Sequence, residues 1–132
     1  MKAIAIAALA LLVSATAQAQ PVQVQGDKVV LVNDDKTFTV SIFASTARAL
    51  PHPLESLPQE HEALAETKAK KDKQSHRVRI TVTGCADEQG KITLHTEGNY
   101  TGALDWAASG SRMYDLMAVA VCKLAQQRAA QQ

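Results

Sequence analysis

A chain of 132 residues carries 14 Lys+Arg against 13 Asp+Glu, so no global electrostatic pull draws it toward nucleic acid or a membrane surface. Its aromatic residues are Phe38, Phe43, Tyr100, Trp106 and Tyr114, too few to build stacking platforms for bases or sugars. The two cysteines form no Cys-x-x-C and have no histidine at a metal-ligand spacing, which argues against a thiol redox motif or a zinc site built on them.

The first 20 residues read as an export signal. Lys2 gives a positive start, Ala3 to Val13 is an apolar run, and Ala17-Gln18-Ala19 is a small-x-small cleavage pattern. The run is shorter than the about 20 residues that span a bilayer. No cysteine stands at the expected cut, so a bacterial lipid anchor is not expected. The sequence therefore predicts a cleaved signal peptide over 1–19 and a single exported domain over 20–132, periplasmic or secreted in the Gram-negative manner. In an oxidising compartment a lone pair of cysteines forms a disulfide, so Cys85 and Cys122 are expected to pair. Closing the loop between them contributes roughly 4 kcal/mol on chain-entropy arithmetic.

Along the exported part, Val22 and Val24 alternate with glutamines and predict a short strand, with a turn at Gly26-Asp27. Lys28–Asn33 predicts a second strand. Asn33-Asp34-Asp35-Lys36 is turn chemistry, and Thr37–Phe43 alternates with Phe38, Val40 and Ile42 on one face, which together predict a hairpin. Ser45–Pro58 carries Pro51, Pro53 and Pro58 and reads as a connecting loop. Gln59–Lys73 is rich in strong helix formers, with acids at its start and lysines at its end. It predicts a helix whose only large apolar residue is Leu64, so that 45–76 is expected to protrude as a loop and helix segment.

Arg77–Thr83 predicts a strand with Val78, Ile80 and Val82 inward. Turns at 87–90 and 98–99 separate it from runs at Lys91–Thr96 and Tyr100–Trp106, the latter with Tyr100, Leu104 and Trp106 on one parity. Ser109-Gly110-Ser111 offers helix caps. Arg112–Arg128 places Met113, Leu116, Met117, Ala120, Val121 and Leu124 in one stripe at about 100° per residue. The expected fold is α+β: an antiparallel sheet of about six short strands with a disulfide-tethered C-terminal helix across it. Cys122 lies off that stripe and Cys85 off the Val78/Ile80/Val82 face. Either a bulge at Gly84 resets the parity, or the bridge closes the rim of the helix–sheet contact.

No catalytic constellation is readable. His52, Glu55, His61 and Glu62 are ligand types for zinc, but their spacing matches no zinc motif and His61-Glu62 lacks the second histidine of His-Glu-x-x-His. His76 and His95 read as surface strand residues, and Ser109-Gly110-Ser111 lacks the nucleophile elbow. The strongest charge feature is the basic segment 68–79, which holds Lys68, Lys70, Lys71, Lys73, Arg77 and Arg79 against the one acid Asp72. It is a candidate patch for an anionic partner.

Cys85, Tyr100-x-Gly102, Trp106, Gly110-Ser111 and Cys122 occur in an order that resembles the surface-adhesin protein E family of small exported bacterial proteins. The resemblance implies a sheet of about six antiparallel strands with a disulfide-tethered C-terminal helix, and pairs Cys85 with Cys122. Known members include surface lipoproteins that bind host matrix proteins. This chain departs from the pattern in lacking the lipobox cysteine, and its 45–76 segment reads as an insertion. The expected function is a non-catalytic binding protein without cofactor that engages another protein in an inhibitor, immunity or adhesin-like role. The alternatives are binding of an anionic envelope polymer through 68–79 and, further off, a small metal-dependent hydrolase.

Overall fold

The computed structural model describes residues 22–31, 37–51, 54, 56–96 and 99–131. The expectations for the signal peptide, the turns at 33–36 and Gly98, and the pair His52 and Glu55 fall outside the described residues.

Strands β1 (Val22–Gln25) and β2 (Lys28–Leu31) form a hairpin whose two-residue turn begins at Gly26. Gly26 has φ +62°, the left-handed geometry that two-residue hairpin turns require. β2 pairs antiparallel with β3 (Phe38–Phe43), as the hairpin expectation has it. A single 3-10 turn at Ala44–Thr46 leads to β4 (Arg48–Ala49). Asp27 anchors that turn by accepting hydrogen bonds from the Ser45 backbone N–H at 2.8 Å and hydroxyl at 2.7 Å.

Then come β5 (Glu60–Ala69), β6 (Ser75–Thr83), β7 (Gln89–Thr96), β8 (Asn99–Tyr100), β9 (Leu104–Ala107) and the helix α1 (Met113–Ala130). The sheet runs β1-β2-β3-β5-β6-β7, with β4 beside β5 and both β8 and β9 beside β7. All its pairings are antiparallel. One helix packed on an antiparallel sheet is the α+β arrangement the sequence predicts. Val40, Ile42, Ile80, Val82, Ile92 and Val121 are at most 2% exposed and form the layer between them.

The helix expected over 59–73 is not there. Residues 60–69 form β5, the strand between β3 and β6, so this part of the 45–76 segment lies inside the sheet instead of protruding. Helix propensity differs among ordinary residues by only about 0.7 kcal/mol per residue. A central strand gains backbone ladders on both sides, and its neighbours decide the outcome. The alternation also matters: Ala63 and Ala65 point to the helix side and are 1% and 0% exposed. Alanine at these two positions lets α1 approach the sheet closely, which a longer side chain would prevent.

The helix is turned from its expected orientation by roughly one residue's arc, about 100°. Its buried residues are Asp115, Met117, Ala118, Ala120, Val121, Cys122 and Ala125, so Met117, Ala120 and Val121 of the expected stripe are buried, while Met113, Leu116 and Leu124 are half-buried. Small residues on both sides set this contact. Ala118 and Ala125 are buried on the helix, Ala47, Ala63 and Ala65 on the sheet side, and Met117 and Val121 are buried with them while Met113, Leu116 and Leu124 stay at the rim. The rotation brings Cys122 to the buried face. Gly84 (φ +93°) ends β6 and starts a 3-10 turn at Cys85–Asp87 that carries Cys85 to the helix. Both conformation and space require glycine there, because a Cβ would collide with the Gln89 backbone. The Cys85–Cys122 disulfide spans 5.6 Å between Cα atoms.

The helix cap is made by Asp115, not by Ser109 or Ser111. Its carboxylate is fully buried and accepts hydrogen bonds from the Ala107 N–H (3.0 Å), the Arg112 N–H (3.0 Å) and the Arg112 guanidinium (2.9 and 3.2 Å). Gly110 fits against it, since a Cβ there would strike the carboxylate. The Arg112 hydrogen bonds hold the Asp115 carboxyl below the ordinary aspartate value.

The strand expected over 100–106 is interrupted. His95 faces Tyr100, but Ile92 faces Leu104, so one extra residue lies between β8 and β9. This is a bulge, and it takes Tyr100 off the register shared by Leu104 and Trp106. Trp106 is 3% exposed and its indole N–H donates to the Thr83 carbonyl at 2.9 Å.

Candidate functional site

In a strand, alternate residues face opposite sides. With α1 on one side, the other side of the sheet has no helix over it among the described residues. The register places Lys28 and Val30 of β2, Thr39, Ser41 and Phe43 of β3, and Glu62, Leu64, Glu66 and Lys68 of β5 on that open face. Arg77, Arg79 and Thr81 of β6 and Thr93 and His95 of β7 continue it.

Its charges are organised rather than scattered. Glu62 is only 13% exposed and accepts from Arg48 at 2.7 Å and Arg79 at 3.2 Å. Lys28 donates to Glu66 at 3.2 Å. The Phe43 ring lies between two cations, with the Arg77 guanidinium 4.9 Å and the Lys28 ammonium 5.8 Å from its centre. Lys91 and Asp105 pair at 2.6 Å beyond β6, and the Lys91 ammonium holds the Asp105 carboxyl below its ordinary value. The Thr81 hydroxyl and His95 Nε2 are 3.2 Å apart. Burial, with Arg79 next, lowers the His95 pKa.

A concavity of about 310 Å³ opens on this face beside the β5–β6 turn. It is lined by Val30, Thr39, Ser41 and Ala69, with Lys28, Lys68, Lys70, Lys73 and Glu66 around them. The turn that carries two of these lysines is fixed in place. The Lys70 N–H donates to the Thr37 carbonyl at 2.9 Å, the Lys73 N–H to Ala69 at 3.0 Å, and the Gln74 N–H to the Asp72 carboxylate at 3.0 Å.

The six basic residues singled out in the sequence do not form one patch. Lys68, Lys70 and Lys73 meet around the concavity, Arg77 stacks over Phe43, Arg79 is bound to Glu62, and Lys71 sits exposed in the turn. Lys28 and Phe43 belong with them and were not singled out. The parity of β2 and β3 puts both opposite the core residues, but only strand pairing brings Lys28 to the concavity and sets Phe43 opposite Lys28 at its edge. His61 and Glu62, adjacent on β5, are sent to opposite faces. The His61 Nδ1 is buried and has no hydrogen-bond partner among the described residues, and burial lowers its pKa. Cys85 and Cys122 are paired and lie on the helix side.

No helix among the described residues is long and apolar enough to cross a membrane. No protein-family model, no curated protein and no solved structure matches the chain.

Proposed function

We propose that the protein is an exported, non-catalytic binding module whose helix-free sheet face docks a protein partner. The observation that carries this reading is the composition of that face: an aromatic ring between two cations, Leu64 beside it, and arginines already held in ion pairs. Aromatic and arginine side chains are the groups that anchor protein interfaces. The strands β1, β2, β3, β5, β6 and β7 together hold 41 residues, which at about 3.4 Å rise and about 4.8 Å spacing give roughly 670 Å², somewhat under the about 800 Å² a partner buries in a standard interface. The carboxylates Glu62, Glu66 and Asp105 are each engaged by a cation, which favours recognition over acid–base chemistry. The Cys85–Cys122 disulfide fits an oxidising compartment, and export through the 1–19 segment is part of the proposal. So is kinship with the surface-adhesin protein E family, for which the sheet, the C-terminal helix and the disulfide are the supporting features.

An anionic envelope polymer is supported less well, because the basic run does not stay contiguous once folded. Capture from the envelope fraction separates the readings. The oxidised protein and its Lys123→Glu variant, altered on the helix side, are expected to retain one stoichiometric protein that Leu64→Arg and Arg77→Glu lose. Identical capture by all four proteins would overturn the docking face.

A further inference from the structure

We propose that the lysine-rimmed concavity between β2, β3, β5 and the 70–73 turn seats carboxylates of an acidic, partly apolar segment of the partner. This rests on the open face being a protein-docking surface, and it names the chemistry of what docks there.

Four ammonium groups and one carboxylate line about 310 Å³. The carboxylate, Glu66, is engaged by Lys28 at 3.2 Å, and the one acid of the turn, Asp72, accepts from the Gln74 backbone and does not line the concavity. Among the described residues that line it, the rim carries more ammonium groups than carboxylates, in a chain whose overall charge is +1. Gathering like charges costs self-repulsion, which an anionic ligand relieves. Because the backbone of the turn is clipped to Thr37, next to β3, through the Lys70 N–H, the ligand does not have to order the turn that carries Lys70 and Lys73.

The cations at the rim are lysines, with no arginine among them. An ammonium is a point charge with rotatable donors, so the site accepts carboxylates over a range of angles without the fixed fork a guanidinium imposes. What favours a peptide over a bare polyanion is the apolar neighbourhood. Val30 lines the concavity, and Phe43 lies next to it under Lys28 and Arg77. An acidic segment with apolar residues in alternation can touch both, whereas a polyphosphate or a sulfated glycan gains only the charge term.

The test is titration of the full oxidised chain with a fluorescent peptide of alternating glutamate and leucine. Inorganic tripolyphosphate and a serine–leucine peptide of the same length serve as comparison probes. The expected result is that the acidic peptide binds, that the serine peptide does not, and that Lys68→Glu with Lys73→Glu weakens binding about tenfold or more. Raising salt until the screening length is about 3 Å should weaken it as well. Lys123→Glu should leave it unchanged. Lys68 and Lys73 are exposed, so an unaltered melting temperature shows that the double variant is folded. Undiminished binding by the double variant, or tripolyphosphate binding tighter than the peptide, would overturn the assignment. So would no binding of the peptide. If the peptide fails while envelope capture still depends on Leu64 and Arg77, only the concavity's role falls; if both fail, the docking face falls with it.

Discussion

Replacing Cys85 and Cys122 together by alanine is expected to lower the unfolding free energy by about 4 kcal/mol. The bridge joins residues 37 apart in sequence, and the loop it closes contains β7, β8, β9 and the first half of α1. It matters more here than in a domain with a deep core. Of the buried apolar residues of α1, Ala118, Ala120 and Ala125 bury little apolar area each, and only Met117 and Val121 are large. A loss of that size is a large share of the about 5–15 kcal/mol that holds a domain folded. Urea denaturation of the oxidised protein and the double variant measures it. A reducing agent should move the wild-type midpoint to that of the variant. Coincident midpoints before reduction would show that the bridge does not constrain the unfolded chain.

Asp115→Ala is expected to cost about 3 kcal/mol. The substitution removes a buried, charge-paired group and leaves its donors without an acceptor. The Asp115 carboxylate gathers β9, the Arg112 backbone and the Arg112 guanidinium onto the first turn of α1, so its loss loosens both the cap and the β9–α1 connection. The same geometry fixes a pH dependence. The native carboxyl titrates below its ordinary value, so its contribution is fully present above the unfolded-state pKa of about 3.9. The contribution falls as pH drops below that value and is gone once pH has passed below the native one. Asp115→Asn should therefore be less stable than wild type at pH 7, and the gap should narrow on acidification below about pH 4. A gap independent of pH would mean that the ionised carboxylate is not what the helix start depends on.

The parts of the fold that could be read from the chain are those where a local pattern and its tertiary setting agree. Val78, Ile80 and Val82 alternate strictly and are all buried in β6. Cys85 and Cys122 were the only two thiols, and they pair. Residues 60–69 went wrong because their composition favours helix while Ala63 and Ala65 carry the strand alternation too weakly to register as apolar. The helix α1 was placed correctly along the chain but turned wrongly. Weighting large apolar residues points to Met113, Leu116 and Leu124, whereas close packing of small residues selects Ala118 and Ala125. The misplaced parity of Cys122 was the one sequence signal of that rotation.

The candidate site shows the same division. The basic residues fall within twelve positions of the sequence, 68–79, but strand geometry separates them. Arg79 goes to Glu62, Arg77 to Phe43, and three lysines go to the concavity. Lys28 and Phe43 come from strands remote in sequence, and it is the β2–β3–β5 register that pairs them with each other and sets them on the face that Lys68 shares. No local pattern encodes that register.

The central claim is that the open sheet face meets a protein. Site-specific photo-crosslinking tests it most directly, with a benzophenone side chain placed at position 64 on that face or at position 123 on the helix, in cells that make the protein. The account predicts one protein adduct from position 64, abolished by Arg77→Glu, and none from position 123. An adduct from position 123 alone, or an adduct from position 64 that survives Arg77→Glu, would contradict it.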